Sequence, residues 1–348
     1  INDWEEAGSF PREIYKKAGD AGLLGVGHDV AYGGTGEDVF LKVAVTEELM
    51  RCGSGGFAAS LGSLDIALPP LEKWGSQALK DKFIPPVLAG DMIAALAITE
   101  PSGGSDVAGL KTRAVRSHSD EHGDHDVVTG SKIFITSGIR AEFYVPAVRT
   151  GGPGYAGISL LLMERSRAGV STGTPLKKMG WWASDTAEIF FDNVIVPAEN
   201  LIGSENAGFL LIMSNFQMER LNLAVMANMT AQLALEESLR WARERQAFGK
   251  HLSQMQIIRH KLADMATRLE ASREFTYRVA ARIAEGIPSI KEVSMAKNFA
   301  TQTSDFVTTE AVQIFGGMGY MRESLVERLY RDNRILSIGG GTYEIMTE

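Results

Sequence analysis

Two stretches of helical periodicity enclose a stretch of short β-rich runs, and this order most narrows what the chain can fold into. In residues 1–90, Phe40, Val43, Ala44, Glu47 and Glu48 set an apolar stripe beside a charged face at helical spacing, after a break at Gly33, Gly34 and Gly36. A short helix is expected over 77–88, ended near Gly90. Between 91 and 200 the texture changes. Val127–Thr129, Lys132–Thr136, Ile158–Met163 and Glu188–Val194 are β-rich runs, separated by Gly130, Gly138, Gly151, Gly152, Gly154 and Gly169. They predict a β domain, a compact barrel. From 205 to 335 the helical pattern returns: Leu221, Val225, Met229, Leu233 and Leu235 run opposite Glu236, Glu237, Arg240 and Arg243. Further helices are expected over about 253–285 and 290–315. Helices, then strands, then helices is an α+β order, not the alternation of a parallel doubly wound sheet.

A chain of 348 residues is long enough for two or three packed units. The formal net charge of −8 argues against a general nucleic-acid binder. No stretch approaches the roughly 18 apolar residues of a membrane span. Cys52 is the only cysteine, so a reducing compartment is expected, cytoplasmic in a bacterium or the matrix in a mitochondrion. The chain begins at Ile1 rather than Met, so both ends read as trimmed and a targeting segment is an open matter. His118, His122 and His125 lie in a polar segment that reads as a solvated hairpin tip rather than a metal site. Gly316-Gly317-Met318-Gly319 follows a helix and lacks the third glycine of a Rossmann fingerprint, and there is no P-loop, nucleophile elbow or His-Glu-x-x-His.

Two long segments carry more specific information. Ala97-Ile98-Thr99-Glu100-Pro101-Ser102-Gly103-Gly104-Ser105-Asp106 opens the β region, and Gln313-Ile314-Phe315-Gly316-Gly317-Met318-Gly319-Tyr320, continuing to Arg331-Asp332, closes the helical one. They resemble, in the same order, the two signatures of the acyl-CoA dehydrogenase family. Arg245-Gln246-Ala247-Phe248-Gly249 and Gly341-Thr342-Tyr343-Glu344 resemble further family elements. The resemblance covers essentially the whole chain. It implies an N-terminal helical domain (1–92), a central β-barrel domain (93–202) and a C-terminal four-helix-bundle domain (203–348). It also implies FAD, an acyl-CoA substrate, an electron-transfer flavoprotein as acceptor, and a homotetramer built as a dimer of dimers.

The same resemblance distributes roles. Leu96, Ile98, Thr99, Gly104 and Ser105 belong to the FAD-binding loop, with Ser105 also facing substrate. Read from the residues alone, Gly103 and Gly104 permit close backbone approach to a ligand, or make a simple turn between strands. Phe134, Ile135 and Thr136 resemble the segment beside the flavin ring, where many members carry Trp in place of Phe134; a half-buried alternating strand explains Phe134 and Ile135 equally well. Arg245 and Gln256, with Phe248, resemble contacts to the FAD of a neighbouring subunit; a helix C-terminal arginine meeting the helix dipole is the competing reading. Gln313, Gly316 and Gly317 resemble the residues that receive the adenine half of that FAD, and Thr342 and Glu344 the contacts after the base loop. Ser184 resembles a serine near the CoA phosphates. Gln217, Arg220, Gly340 and Gly341 complete the substrate side.

Oxidation at Cα–Cβ needs a base for the α-proton and an acceptor for the β-hydride. Much of the family places the base glutamate just before the Gly-Thr pair. Here Ser337-Ile338-Gly339-Gly340-Gly341-Thr342 puts Gly340, without a side chain, at that position. Either catalysis is lost or the carboxylate comes from elsewhere. Phe216-Gln217-Met218-Glu219-Arg220-Leu221 matches the isovaleryl-CoA and long-chain branches, in which the base sits on the long helix. Glu219 is therefore the expected base, with the Gly340 N–H polarising the thioester carbonyl. Burial beside an acyl chain is expected to raise its pKa. Gly339 and Gly340 leave room for a branched or medium-to-long aliphatic acyl group. An acyl-CoA oxidase that passes electrons to oxygen, and a non-catalytic FAD-binding scaffold, are the other two functions the chain admits.

Overall fold

The computed structural model describes residues 1–348. Six helices come first: α1 (Asn2–Ala7), α2 (Glu13–Asp20), α3 (Val39–Met50), α4 (Gly55–Leu61), α5 (Leu64–Trp74) and α6 (Gln77–Leu88). Short polar side chains start three of them. Asp38, Ser54 and Ser76 accept from the N–H groups of Leu41, Phe57 and Leu79, which a helix N-terminus otherwise leaves unpaired.

Nine strands follow: β1 (Ala94–Ala97), β2 (Arg113–Ser119), β3 (Gly123–Thr136), β4 (Phe143–Arg149), β5 (Ile158–Leu161), β6 (Met163–Glu164), β7 (Val170–Thr172), β8 (Thr186–Pro197) and β9 (Leu201–Ile202). The sheet runs β7-β8-β3-β2-β4-β5-β9, with β1 and β6 added on β4. Its two ends do not pair, so the expected barrel is an open one. The polar His118–His125 segment is the β2–β3 hairpin, with His118 opposite Asp124. β4, Phe143-Tyr144-Val145-Pro146-Ala147-Val148, is buried along its whole length and shows none of the alternation by which strands are recognised.

The C-terminal region holds α7 (Gly208–Glu244), a small hairpin of β10 (Gln246–Ala247) and β11 (Lys250–His251), α8 (Gln256–Ala284), α9 (Ile290–Phe315), α10 (Leu325–Asn333) and α11 (Tyr343–Thr347). α7 to α10 pack as the bundle. One core of 42 buried residues runs through the N-terminal helices and the sheet without a break, while the far end of the bundle has its own core around Leu233, Met265, Val307 and Phe315. α7 lies between the two. It packs on α3 through Leu221 and Val225, and its middle is buried on nearly every side.

A buried ionic joint ties the three regions together. Arg331 on α10 reaches Glu5 on α1 at 3.1 Å, and its guanidinium lies 3.6 Å from the Trp182 ring centroid. Asp332 accepts from the N–H groups of Trp181 (2.6 Å) and Gly55 (3.1 Å). Burial and the nearby Glu5 push Asp332 up to about 7.

Candidate active site

Glu219 and Gly340 come together although they lie far apart along the chain. A Cβ built on Gly340 would stand 3.5 Å from Glu219 Oε1 and 2.5 Å from Leu223 Cδ1, and Gly340 has φ +65°. A side chain rooted at 340 and the carboxylate rooted at 219 thus aim at one place, and only one can occupy it. Glu219 is half-buried as a whole, but Oε2 is enclosed and has no hydrogen-bond partner. Desolvation pushes its carboxyl up to about 7, against the opposing pull of Arg220 and Lys297. Arg220 makes no ion pair with the carboxylate and donates from Nε to the Gly340 carbonyl at 3.1 Å.

Lys297 has no role in the sequence reading. It sits on α9 with no exposed surface and donates from Nζ to the Gly341 carbonyl. The signal for it is a lone lysine on the buried α9 face formed by Val293, Ala296 and Ala300. Gln217, one turn or less from Glu219 on α7, is half-buried. Thr342 caps α11 by accepting from Ile345 N–H, and Glu344 is exposed in that helix's first turn.

A second group forms at the sheet. Lys132, fully buried, donates to Ile98 O (3.0 Å) and to Glu100 Oε1 (2.8 Å), while Glu100 also accepts from the N–H groups of Lys111 (2.6 Å) and Thr112 (2.8 Å). Ile133 N–H donates to Thr99 O at 2.9 Å. These bonds pin the loop after β1 against β3. Leu96 and Ile98 are buried beneath it, and Gly104 and Ser105 are exposed. A Cβ on Gly104 would meet the Thr99 side chain at 3.5 Å. The β3–β8 register shifts between Lys132 and Ile135, and Phe134 in that bulge has φ +60° and stands 65% exposed. An alternating strand does not ask an aromatic side chain to take a left-handed backbone and face solvent; strain of this kind marks ligand-bearing positions. Ile135 is buried and Thr136 half-buried, paired with Thr186.

Ser184 lies inside the protein. It is 3% exposed, its hydroxyl accepts from Ser60 at 2.9 Å, and its carbonyl accepts from Lys178. A phosphate contact at Ser184 therefore requires this internal pair to open.

The remaining residues gather at the far end of the bundle. Trp241 on α7 stacks on Phe315 at the end of α9, 4.7 Å between centroids, so Arg245 and the Gln313–Gly317 segment share one end. Arg245, Gln256, Gln313, Gly316 and Gly317 are all exposed there, and Phe248 at the β10–β11 tip is 96% exposed with φ +52°.

An exposed aromatic on a strained bulge beside a pinned glycine loop, and an enclosed carboxylate without a partner, fit a planar redox cofactor and an acyl thioester. The fold and site fit an oxidoreductase that holds a flavin beside a carboxylate base. Residues 1–91, 95–194 and 206–348 match the N-terminal, middle and C-terminal domains of acyl-CoA dehydrogenase. The chain is 38% identical over 355 residues to the long-chain specific acyl-CoA dehydrogenase of mouse mitochondria, covering 99% of this chain and 80% of that one. It is 34% identical over 338 residues to the isovaleryl-CoA dehydrogenase of Pongo abelii, covering 96% and 78%. Among solved structures, a probable acyl CoA dehydrogenase from Mycobacterium abscessus superposes with TM-score 0.96 at 52% identity, over 99% of this chain and 91% of the other. An acyl-CoA dehydrogenase complexed with FAD from Bacillus anthracis superposes with TM-score 0.89 at 33% identity, over 96% and 61%. The chain belongs to the acyl-CoA dehydrogenase family.

Proposed function

We propose that Glu219 is the base that takes the α-proton of the acyl thioester, and that the chain converts an acyl-CoA to its trans-2-enoyl form. The observation that carries this reading is the enclosed, unpartnered Glu219 carboxylate facing the bare Gly340. A pKa near 7 suits a group that must be ionised before reaction and protonated after it. Bound FAD supplies the acceptor for the β-hydride, held beside Phe134, Ile135 and Thr136 and by the Leu96, Ile98, Thr99, Gly104 and Ser105 loop. Gln217, Arg220 and the Gly340-Gly341 turn orient the thioester, and Ser184 serves the CoA side once its hydrogen bond from Ser60 opens. Thr342 and Glu344 border the same cofactor.

The electron acceptor in this reading is an electron-transfer flavoprotein. The acyl group in this reading is branched or medium-to-long, because Gly339 adds no side chain beside the base. The units divide at 92/93 and 202/203, next to the start of β1 and the end of β9. A single half-buried cysteine, Cys52, suits a reducing compartment, cytoplasm or mitochondrial matrix. No helix is long and apolar enough to cross a membrane.

Replacing Glu219 with Gln keeps shape and polarity but removes the proton acceptor. Turnover falls by about 10²–10⁴-fold with flavin content unchanged. A Glu219→Gln enzyme with near-normal kcat would show that the base is another group.

A further inference from the structure

Two cations from different helices hold successive carbonyls of one turn. Arg220 on α7 takes the Gly340 carbonyl, and Lys297 on α9 takes the Gly341 carbonyl. A peptide unit is planar and trans, so its N–H points opposite its C=O. Drawing these carbonyls toward the helices aims the N–H groups of Gly341 and Thr342 the other way. The N–H groups of Gly340, Gly341 and Thr342 donate to no backbone carbonyl. Gly340 at φ +65° and Gly341 at φ +104° give the turn a backbone that only glycine enters easily. Successive unpaired N–H groups in such a turn form a concavity for negative charge.

We propose that Lys297 is a positioning residue that, with Arg220, clamps the Gly340–Gly341 turn and so fixes the backbone that presents the Gly340 N–H to the thioester oxygen. This rests on the assignment of Glu219 as base. The lysine reaches no substrate atom; it acts through the peptide it holds. Its position makes a solvent-facing role impossible, because no part of it is exposed. Full burial of an ammonium is costly unless it is paired and hydrogen-bonded. Here the charges that act on it are Glu219 and Arg220, both on α7, while the turn offers only carbonyls. Burial draws Lys297 down to about 8, with Glu219 opposing that fall and Arg220 adding to it. The clamp therefore loosens as pH rises through about 8, where Nζ loses its charge.

The test reads carbonyl polarisation directly. A 1-¹³C-labelled enoyl-CoA is bound to the oxidised holoenzyme and its carbonyl stretch followed by difference infrared spectroscopy. In the wild type the band moves to lower frequency than in water, and Glu219→Gln keeps that shift while losing turnover. Lys297→Met loses most of the shift, and kcat falls by more than KM rises. Lys297→Arg restores the shift, and because guanidinium does not titrate in this range, the alkaline limb of the kcat/KM profile disappears. If Lys297→Met folds with normal flavin content and keeps the full shift, the clamp is wrong. If Lys297→Met does not fold, the arginine variant decides alone: an unchanged alkaline limb overturns the inference. An active Glu219→Gln enzyme sinks the base assignment instead and leaves the infrared result to judge Lys297.

Discussion

At the residue scale, the site depends on what is missing as much as on what is present. Gly340 has no side chain, and the space beside it belongs to Glu219 and Leu223. Gly340→Ala would force a Cβ to within 2.5 Å of Leu223 Cδ1 at a positive φ. Strain of this kind costs about 1–3 kcal/mol, so denaturant titration should show a lower midpoint, and kcat should fall with it as the turn shifts. With Glu219 as the proposed base, its protonation sets the acid limb of activity. The base must be ionised in the free enzyme, so kcat/KM rises as pH passes about 7. Bound acyl chain removes more water and raises the carboxyl further, so the limb in kcat lies at higher pH than the limb in kcat/KM. Coincident limbs, or limbs near an ordinary glutamate value, would mean that the enclosed carboxylate is not the titrating group.

At the element scale, the proposed reaction centre is a meeting of α7, α9 and the turn before α11, and α10 packs against both of these helices. The joint of Arg331, Glu5, Asp332 and Trp182 seats it. Arg331→Met leaves Glu5 buried without its cation, which typically costs about 3–5 kcal/mol. The variant should unfold at clearly lower temperature by calorimetry, and Glu5→Gln in the same chain should recover part of the loss. Additive losses would mean that the two groups do not interact. Asp332, held up at about 7, adds a pH term to this joint. Its folded pKa lies above the unfolded value of 3.8, so the folded state binds the extra proton between those values. Its contribution is fully present at low pH and fades as pH rises through about 7.

At the scale of the molecule, two residue sets that a single flavin would have to join are too far apart. α7 is continuous from Gly208 to Glu244, so Glu219 and Arg245 are separated by about 39 Å at 1.5 Å per residue. If both serve FAD, they serve different copies. The bundle end that carries Arg245, Phe248, Gln256, Gln313, Gly316 and Gly317 then completes the site of a neighbouring subunit, as expected of a dimer of dimers. Arg245→Ala should lower FAD occupancy. Subunit exchange between an Arg245→Ala chain and a Glu219→Gln chain gives hybrid dimers with one doubly altered and one intact site, and activity reappears. Proven exchange with no recovered activity, or a fully active monomer, would rule out shared sites.

The sequence by itself determined the order of helices, strands and helices, because periodicity is local. The helix over Gln77–Leu88 and those ending at Ala284 and Phe315 lie within a few residues of their expected spans. The resemblance to the acyl-CoA dehydrogenase family paired Glu219 with a bare position 340, and the two lie side by side in the fold. Tertiary structure decided the rest. β4 was hidden because a strand buried on both faces does not alternate, and Pro146 argues against a strand. The outward turn of Phe134 comes from a bulge against β8, a mismatch between two strands that neither shows alone. Ser184 faces inward because Ser60, far away in the chain, takes its hydroxyl. Lys297 reads as an ordinary helix lysine until α9 packs on α7 and buries it, and its bond to Gly341 exists only once the chain has folded back on itself.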